Sequence, residues 1–125
     1  MKVINDLILP GAILLILDGI FLSLNSKYFQ TQIASVQRVA LEMNPLGAIL
    51  CYILLIGGLY YFILREKRSI QYAFFLGILV YGVYETTNLA TLKKWKLQTV
   101  IMDTIWGGTL FAATTYLTYM VNKLL

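Results

Sequence analysis

Residues 46–64 read LGAILCYILLIGGLYYFIL, nineteen positions without a charge. A helix of that length covers about 28 Å at 1.5 Å per residue, close to the roughly 30 Å thickness of a bilayer's hydrocarbon core. A small soluble domain keeps much of its surface in water and has no place to hide such a run. Lipid is the solvent this stretch asks for.

Three more apolar stretches of similar length flank it, at 3–24, 70–92 and 97–121. Hydrophobic residues make up 59% of the chain and charged ones 13%, against about a quarter charged in ordinary soluble domains. The expected fold is all-α: one domain over residues 1–125, an integral, multi-pass membrane bundle of four transmembrane helices. The first stretch is too long for the apolar region of a signal peptide, contains Asp18 and lacks a small-residue cleavage site, so it reads as an uncleaved span.

Short charged connections join spans two and three (Arg65-Glu66-Lys67-Arg68-Ser69) and spans three and four (Lys93-Lys94-Trp95-Lys96). The connection from Asn25 to Pro45 is longer. Phe29, Ile33, Val36, Ala40 and Met43 recur at helical spacing, opposite Gln32, Gln37, Arg38 and Glu42, which predicts an amphipathic helix lying in the interface. An even span count puts both termini on one side. Lys2, Arg65, Lys67, Arg68 and Lys123 then face Lys27, Arg38, Lys93, Lys94 and Lys96, a tie by the positive-inside rule. The compact Arg/Lys turn tips the expectation toward cytoplasmic termini.

Several chemistries drop out. The chain has no histidine, which removes His-ligated haem, His-based zinc and His acid–base work. It carries no Gly-rich phosphate loop and no nicotinamide or flavin motif, and its one cysteine, Cys51, forms no internal pair. The basic residues sit in loops and at the ends rather than in a stripe, so lipid head groups and not nucleic acid are the expected partners. Cys51 is expected to be a buried, inert thiol, and Gly57-Gly58 a helix-packing surface. Tyr52, Tyr60, Tyr61, Phe74 and Phe75 are expected to face lipid or the aromatic belt.

Three carboxylates break the pattern by lying within the apolar stretches: Asp18, Glu85 and Asp103. An ionised acid near the bilayer centre costs at least about 2.5–3.5 kcal/mol, so such residues face the protein interior and generally have a task. Asp18 and Glu85 precede the ends of their spans by six and seven residues, and Asp103 follows the start of its span by six. All three therefore lie about 9–10 Å below the same membrane face. Neighbouring spans run in opposite directions, so the agreement is not imposed by the spacing.

Around them stand groups that can hydrogen-bond a carboxylate: Tyr81, Tyr84, Thr87 and Asn88 near Glu85, and Trp106 three residues after Asp103. Gly107, Gly108 and Ala112 let another helix come close. These eight residues, Asp18, Tyr81, Tyr84, Glu85, Thr87, Asn88, Asp103 and Trp106, are the candidate site. Three acids in a low dielectric do not all remain ionised without compensation: they share protons, or a cation neutralises them. Oxygen ligands suit magnesium or manganese, which makes the acids a candidate divalent-metal site. The plainer alternative is that the polar groups only fasten helices together.

The motifs resemble those of a known family, the predicted membrane proteins called domain of unknown function 2177. That family shows Asp-x-x-Trp-Leu in its first span, a Tyr-Asp-Leu-Thr-Asn-Leu-Ala-Thr-Leu-Lys-x-Trp-Pro run ending its third, and Asp-x-x-Trp-Gly in its fourth. The matching residues here are Asp18 to Leu22, Tyr84 to Lys96, and Asp103 to Gly107. Phe21 stands in place of the first Trp, Glu85 in place of Asp and Lys96 in place of Pro. The resemblance covers nearly the whole chain and implies a four-span membrane protein without an assigned activity.

Three functions follow as expectations. The first is binding or moving protons, a metal ion or a small cationic solute, with a homodimer expected because four short spans make a thin pathway. The second is a membrane enzyme acting on lipid, and the third an assembly subunit.

Overall fold

The computed structural model describes residues 2–37 and 44–124. Among them every regular element is helical: α1 (Lys2–Leu24), α2 (Ser26–Gln37), α3 (Pro45–Leu59, continued by a π-helical turn over Tyr60–Leu64), α4 (Ile70–Thr91) and α5 (Leu97–Leu124). Three of these are long and apolar enough to cross a membrane, over Asp6–Leu24, Pro45–Leu64 and Ile70–Thr91. α5 is the longest at 28 residues, but six threonines, two glycines and Asp103 lower its hydropathy.

Local chemistry sets the helix ends. Asn44 caps α3, its side-chain oxygen accepting from the N–H of Leu46 at 3.0 Å and of Gly47 at 3.4 Å, and Pro45 occupies the first turn, where its missing N–H costs nothing. Ser69 caps α4 through Tyr72 N–H at 3.3 Å. α3 ends in wide π-type bonds, Arg65 N–H to Tyr60 C=O at 2.8 Å and Arg68 N–H to Ile63 C=O at 2.9 Å, and the chain reverses with Lys67 at φ 51°. The Tyr119 hydroxyl ties this turn to the end of α5 by donating to the Arg68 carbonyl at 2.7 Å.

α1 lies between α3 and α5, and α5 between α1 and α4. The core joins Leu14, Leu59, Ile63, Ala73, Leu110 and Phe111. The α4–α5 pair is the tightest because both helices present glycine at the crossing. A Cβ on Gly77 would strike the Gly107 backbone, with the Gly108 Cα 2.8 Å away. This explains the polar look of α5: Thr99, Gly107, Gly108, Thr114, Thr115 and Thr118 are all buried against neighbouring helices, where small residues let backbones meet. The outer surface is apolar on α1, α3, α4 and α5, with Ile16, Leu54, Phe75 and Ile105 all exposed.

Three expectations need correction. A methyl added at Gly57 or Gly58 would meet nothing within 4 Å, so within this chain the packing glycines are Gly77, Gly107 and Gly108. Cys51 is exposed rather than buried, because Tyr52 takes the inward position and consecutive helical residues diverge by about 100°. In α2, Gln32 is buried rather than on a polar outer face. Arg38, Ala40, Glu42 and Met43 of the expected amphipathic stretch lie outside the described residues.

Candidate functional site

Asp18 sits on the inward face of α1, three residues before Phe21, and is 6% exposed. Two donors from two other helices meet it. The Tyr52 hydroxyl of α3 donates to one carboxylate oxygen at 2.5 Å, and the Trp106 indole N–H of α5 donates to the other at 2.9 Å. Phe21 stacks flat on the Trp106 ring, centroids 4.4 Å apart and planes 3° from parallel, so the indole is held in the orientation that aims its N–H at Asp18.

Glu85, on α4, is 1% exposed. It accepts from the Trp95 indole N–H at 2.8 Å. Trp95 belongs to the α4–α5 loop, which turns through Lys94 at φ 68°, a conformation that side chains rarely adopt without support. The support comes from α2. Gln32 donates to the Lys94 carbonyl at 3.0 Å and accepts from the Lys96 N–H at 3.1 Å and the Thr99 hydroxyl at 2.7 Å. Tyr28 and Thr99 share a further 2.7 Å hydroxyl contact. One amide side chain thus grips both sides of the loop that places Trp95.

Asp103, on α5 three residues before Trp106, is half-buried. Tyr81 is half-buried on α4, with its ring edge-on to Phe111 at 6.4 Å. Two polar groups result, Tyr52, Asp18 and Trp106 in one and Glu85 with Trp95 in the other.

Of the eight sequence candidates, Asp18 and Trp106 are joined directly, whereas Glu85 is held by Trp95. Tyr84 and Thr87 take no part: both are exposed, and the Thr87 hydroxyl turns back to the Val83 carbonyl at 2.7 Å. Asn88 is half-buried and joins none of the bonds around the acids. Tyr52, expected to face lipid, is instead a direct partner of Asp18, and Trp95 and Gln32 also belong to the site. Trp95 is visible in the sequence as the one aromatic in a basic loop; Tyr52 gives no signal there, since α3 is apolar on all sides.

The donors facing the acids are the Tyr52 phenol O–H and the Trp106 and Trp95 indole N–H groups, which satisfy anionic oxygens. Among the described residues no three acidic or sulfur side chains group as metal ligands. What the arrangement provides chemically is two buried carboxylates, Asp18 and Glu85, each fixed by aromatic donors.

No curated protein and no solved structure matches the chain. A family model described as predicted membrane protein (DUF2177) matches residues 4–120, a span that includes every residue of the site from Asp18 to Trp106. The chain belongs to that family of predicted membrane proteins.

Proposed function

We propose that the chain crosses the membrane four times, with α5 as the fourth span, and that Asp18, Asp103 and Glu85 form an intramembrane site that takes up and releases protons. The burial of Asp18 and Glu85 inside a largely apolar helical chain carries the reading. Acids kept within membrane-spanning segments are costly and mark proton or ion paths. The buried α5 threonines and glycines support an interior place for α5, between helices that do face lipid. Both termini and the Arg65–Arg68 turn then lie on one side, which we assign to the cytoplasm.

Protons suit the site better than a divalent metal, because the oxygens of Asp18 are already committed to Tyr52 and Trp106. The test is infrared spectroscopy of the protein in bilayers. A carbonyl band of a protonated carboxylic acid is expected, shifting in deuterated water and lost in Glu85→Gln or Asp103→Asn. Proteoliposomes containing a pH-sensitive dye would show proton uptake by the wild type and little by either variant. Absence of the band in folded wild-type protein would end the proposal. Loss of folded protein in both variants, with the band present, would assign the acids to helix fastening.

A further inference from the structure

We propose that the α3–α4 hairpin, at the end of the bundle away from the acids, binds one anionic phospholipid. The turn Arg65-Glu66-Lys67-Arg68 has a surplus of two positive charges. Its one ion pair among the described residues joins adjacent residues, Arg65 and Glu66, at 3.5 Å with both side chains about half exposed, an arrangement worth little in water. Arg68 makes no ion pair among the described residues. Both guanidinium groups are held over aromatic rings instead, Arg65 at 4.3 Å from the Tyr61 centroid and Arg68 at 5.8 Å from that of Tyr72. Such stacking leaves in-plane N–H groups, those of Arg68 and those of Arg65 not turned to Glu66, for a phosphate.

Below these cations run two apolar furrows. One, of about 420 Å³, is walled by Phe62, Ile63, Phe75, Leu76 and Leu79 and capped by Arg65 and Arg68. The other, of about 630 Å³, runs from Ser69 and Gln71 past Phe74 to Ala112. Tyr72 and Phe75 line both, so they form the ridge between them. Phe75 and Leu79 follow Ile70, the first residue of α4, by five and nine residues, which places them about 8 and 14 Å deeper along the helix. Cationic cap, then two apolar channels descending side by side, is the layout of a diacyl phospholipid: phosphate at head-group depth and one chain on each side of the ridge. Neutral lipid would leave the surplus charge unmet.

The full chain, delipidated in uncharged detergent, would be titrated with phosphatidylglycerol, with phosphatidylcholine of the same chains, and with inorganic phosphate, reading bound lipid by native mass spectrometry and thermal stability. Phosphatidylglycerol is expected to be retained at least about fivefold more tightly than phosphatidylcholine, the effect of one basic residue at a membrane surface. Arg65→Gln/Arg68→Gln should erase that preference while phosphatidylcholine binding stays. Equal retention of the two lipids by the wild type would overturn the proposal, whether or not the variant folds. Binding of inorganic phosphate as tight as phosphatidylglycerol would overturn it too, since the furrows would then contribute nothing.

Discussion

Trp106 and Asp18 are separated by 88 positions in the chain, and the indole N–H of one reaches the carboxylate of the other at 2.9 Å. That bond joins α1 to α5 a little above the level where Leu14, Leu110 and Phe111 close the core. It means the acid is not an isolated functional group added to a finished bundle. It is one of the contacts that set where α1 and α5 meet, and the flat stack of Phe21 on the indole makes the geometry stiff.

Replacing Trp106 by Phe separates the two contributions, because a ring remains to stack on Phe21 while the donor is lost. A destabilisation of about 1–3 kcal/mol is expected, the range for losing a hydrogen bond to a buried polar or charged group. Asp18→Asn should cost less in the Trp106→Phe background than in the wild type, since the partner is already gone. Reversible unfolding in detergent of the four proteins measures this. Additive effects would show that the bond contributes no coupling.

Glycine substitutions should divide sharply by position. A methyl at Gly107 would overlap the Tyr81 ring, and one at Gly77 would overlap backbone that cannot rotate away. Either Ala variant is expected to lose about 3 kcal/mol or more, because helix α4 must move outward as a whole. Gly57→Ala and Gly58→Ala meet nothing within 4 Å and should be neutral or up to about 1 kcal/mol more stable, following helix propensity. Thermal melts in detergent rank the four. A large loss at Gly57 or Gly58 would reveal a partner helix from another chain.

Part of the site is legible in the amino-acid order itself. Asp18 and Glu85 stand out as acids within apolar stretches, and both are buried; Trp106 stands out beside Asp103, though the acid it meets is Asp18. Rotation about the helix axis is not readable where a helix is apolar all round. Nothing in residues 46–64 distinguishes Tyr52 from Tyr60 or Tyr61, so its inward position emerges only from packing. Tyr84 and Thr87 mislead for the opposite reason: proximity in sequence to Glu85 puts them on adjacent faces of α4, not on its face. Gln32 is hidden because a polar residue on a short amphipathic helix is ordinarily solvated, and only the α4–α5 loop makes burial favourable. The polarity of α5 obscures its interior place, since threonine and glycine lower hydropathy whether they face water or another helix.

Gln32→Leu should loosen the loop without unfolding the bundle. The substitution removes the grip on Lys94, Lys96 and Thr99 and leaves Lys94 at positive φ without its brace. In a Trp106→Phe background, where Trp95 is the only indole, its fluorescence is expected to become accessible to a water-soluble quencher, and hydrogen exchange over residues 93–96 to accelerate. Unchanged quenching would mean that Glu85 alone holds Trp95.

Threonines in this protein fall into two groups. Thr86, Thr87, Thr91 and Thr109 turn their hydroxyls back to the carbonyl four residues earlier, whereas the buried hydroxyls of Thr104, Thr114, Thr115 and Thr118 have no partner among the described residues. An unpaired buried hydroxyl costs about 1–3 kcal/mol, and valine has nearly the same shape. Thr114→Val and Thr115→Val are therefore expected to stabilise the protein, read as a higher melting temperature in detergent. Destabilisation by both would mean that the hydroxyls are bonded to water.

Glu85 offers the clearest separation of stability from proton chemistry, because two variants should fail in different ways. Its buried side chain accepts from the Trp95 indole at 2.8 Å. Glu85→Asp keeps a titratable acid but shortens the arm by one carbon–carbon bond, about 1.5 Å, too much for that bond to survive unless α4 or the loop moves. Glu85→Gln keeps the length, and its amide oxygen still accepts from Trp95, but it has no exchangeable acid proton. The Asp variant is expected to lose about 1–2 kcal/mol of stability while retaining a protonated-acid infrared band. The Gln variant should melt near the wild type and lack the Glu85 contribution to that band. If instead Gln retained the full band and Asp abolished it, the proton would have to reside on Asp103 alone, and the length of the Glu85 arm would matter only for positioning it.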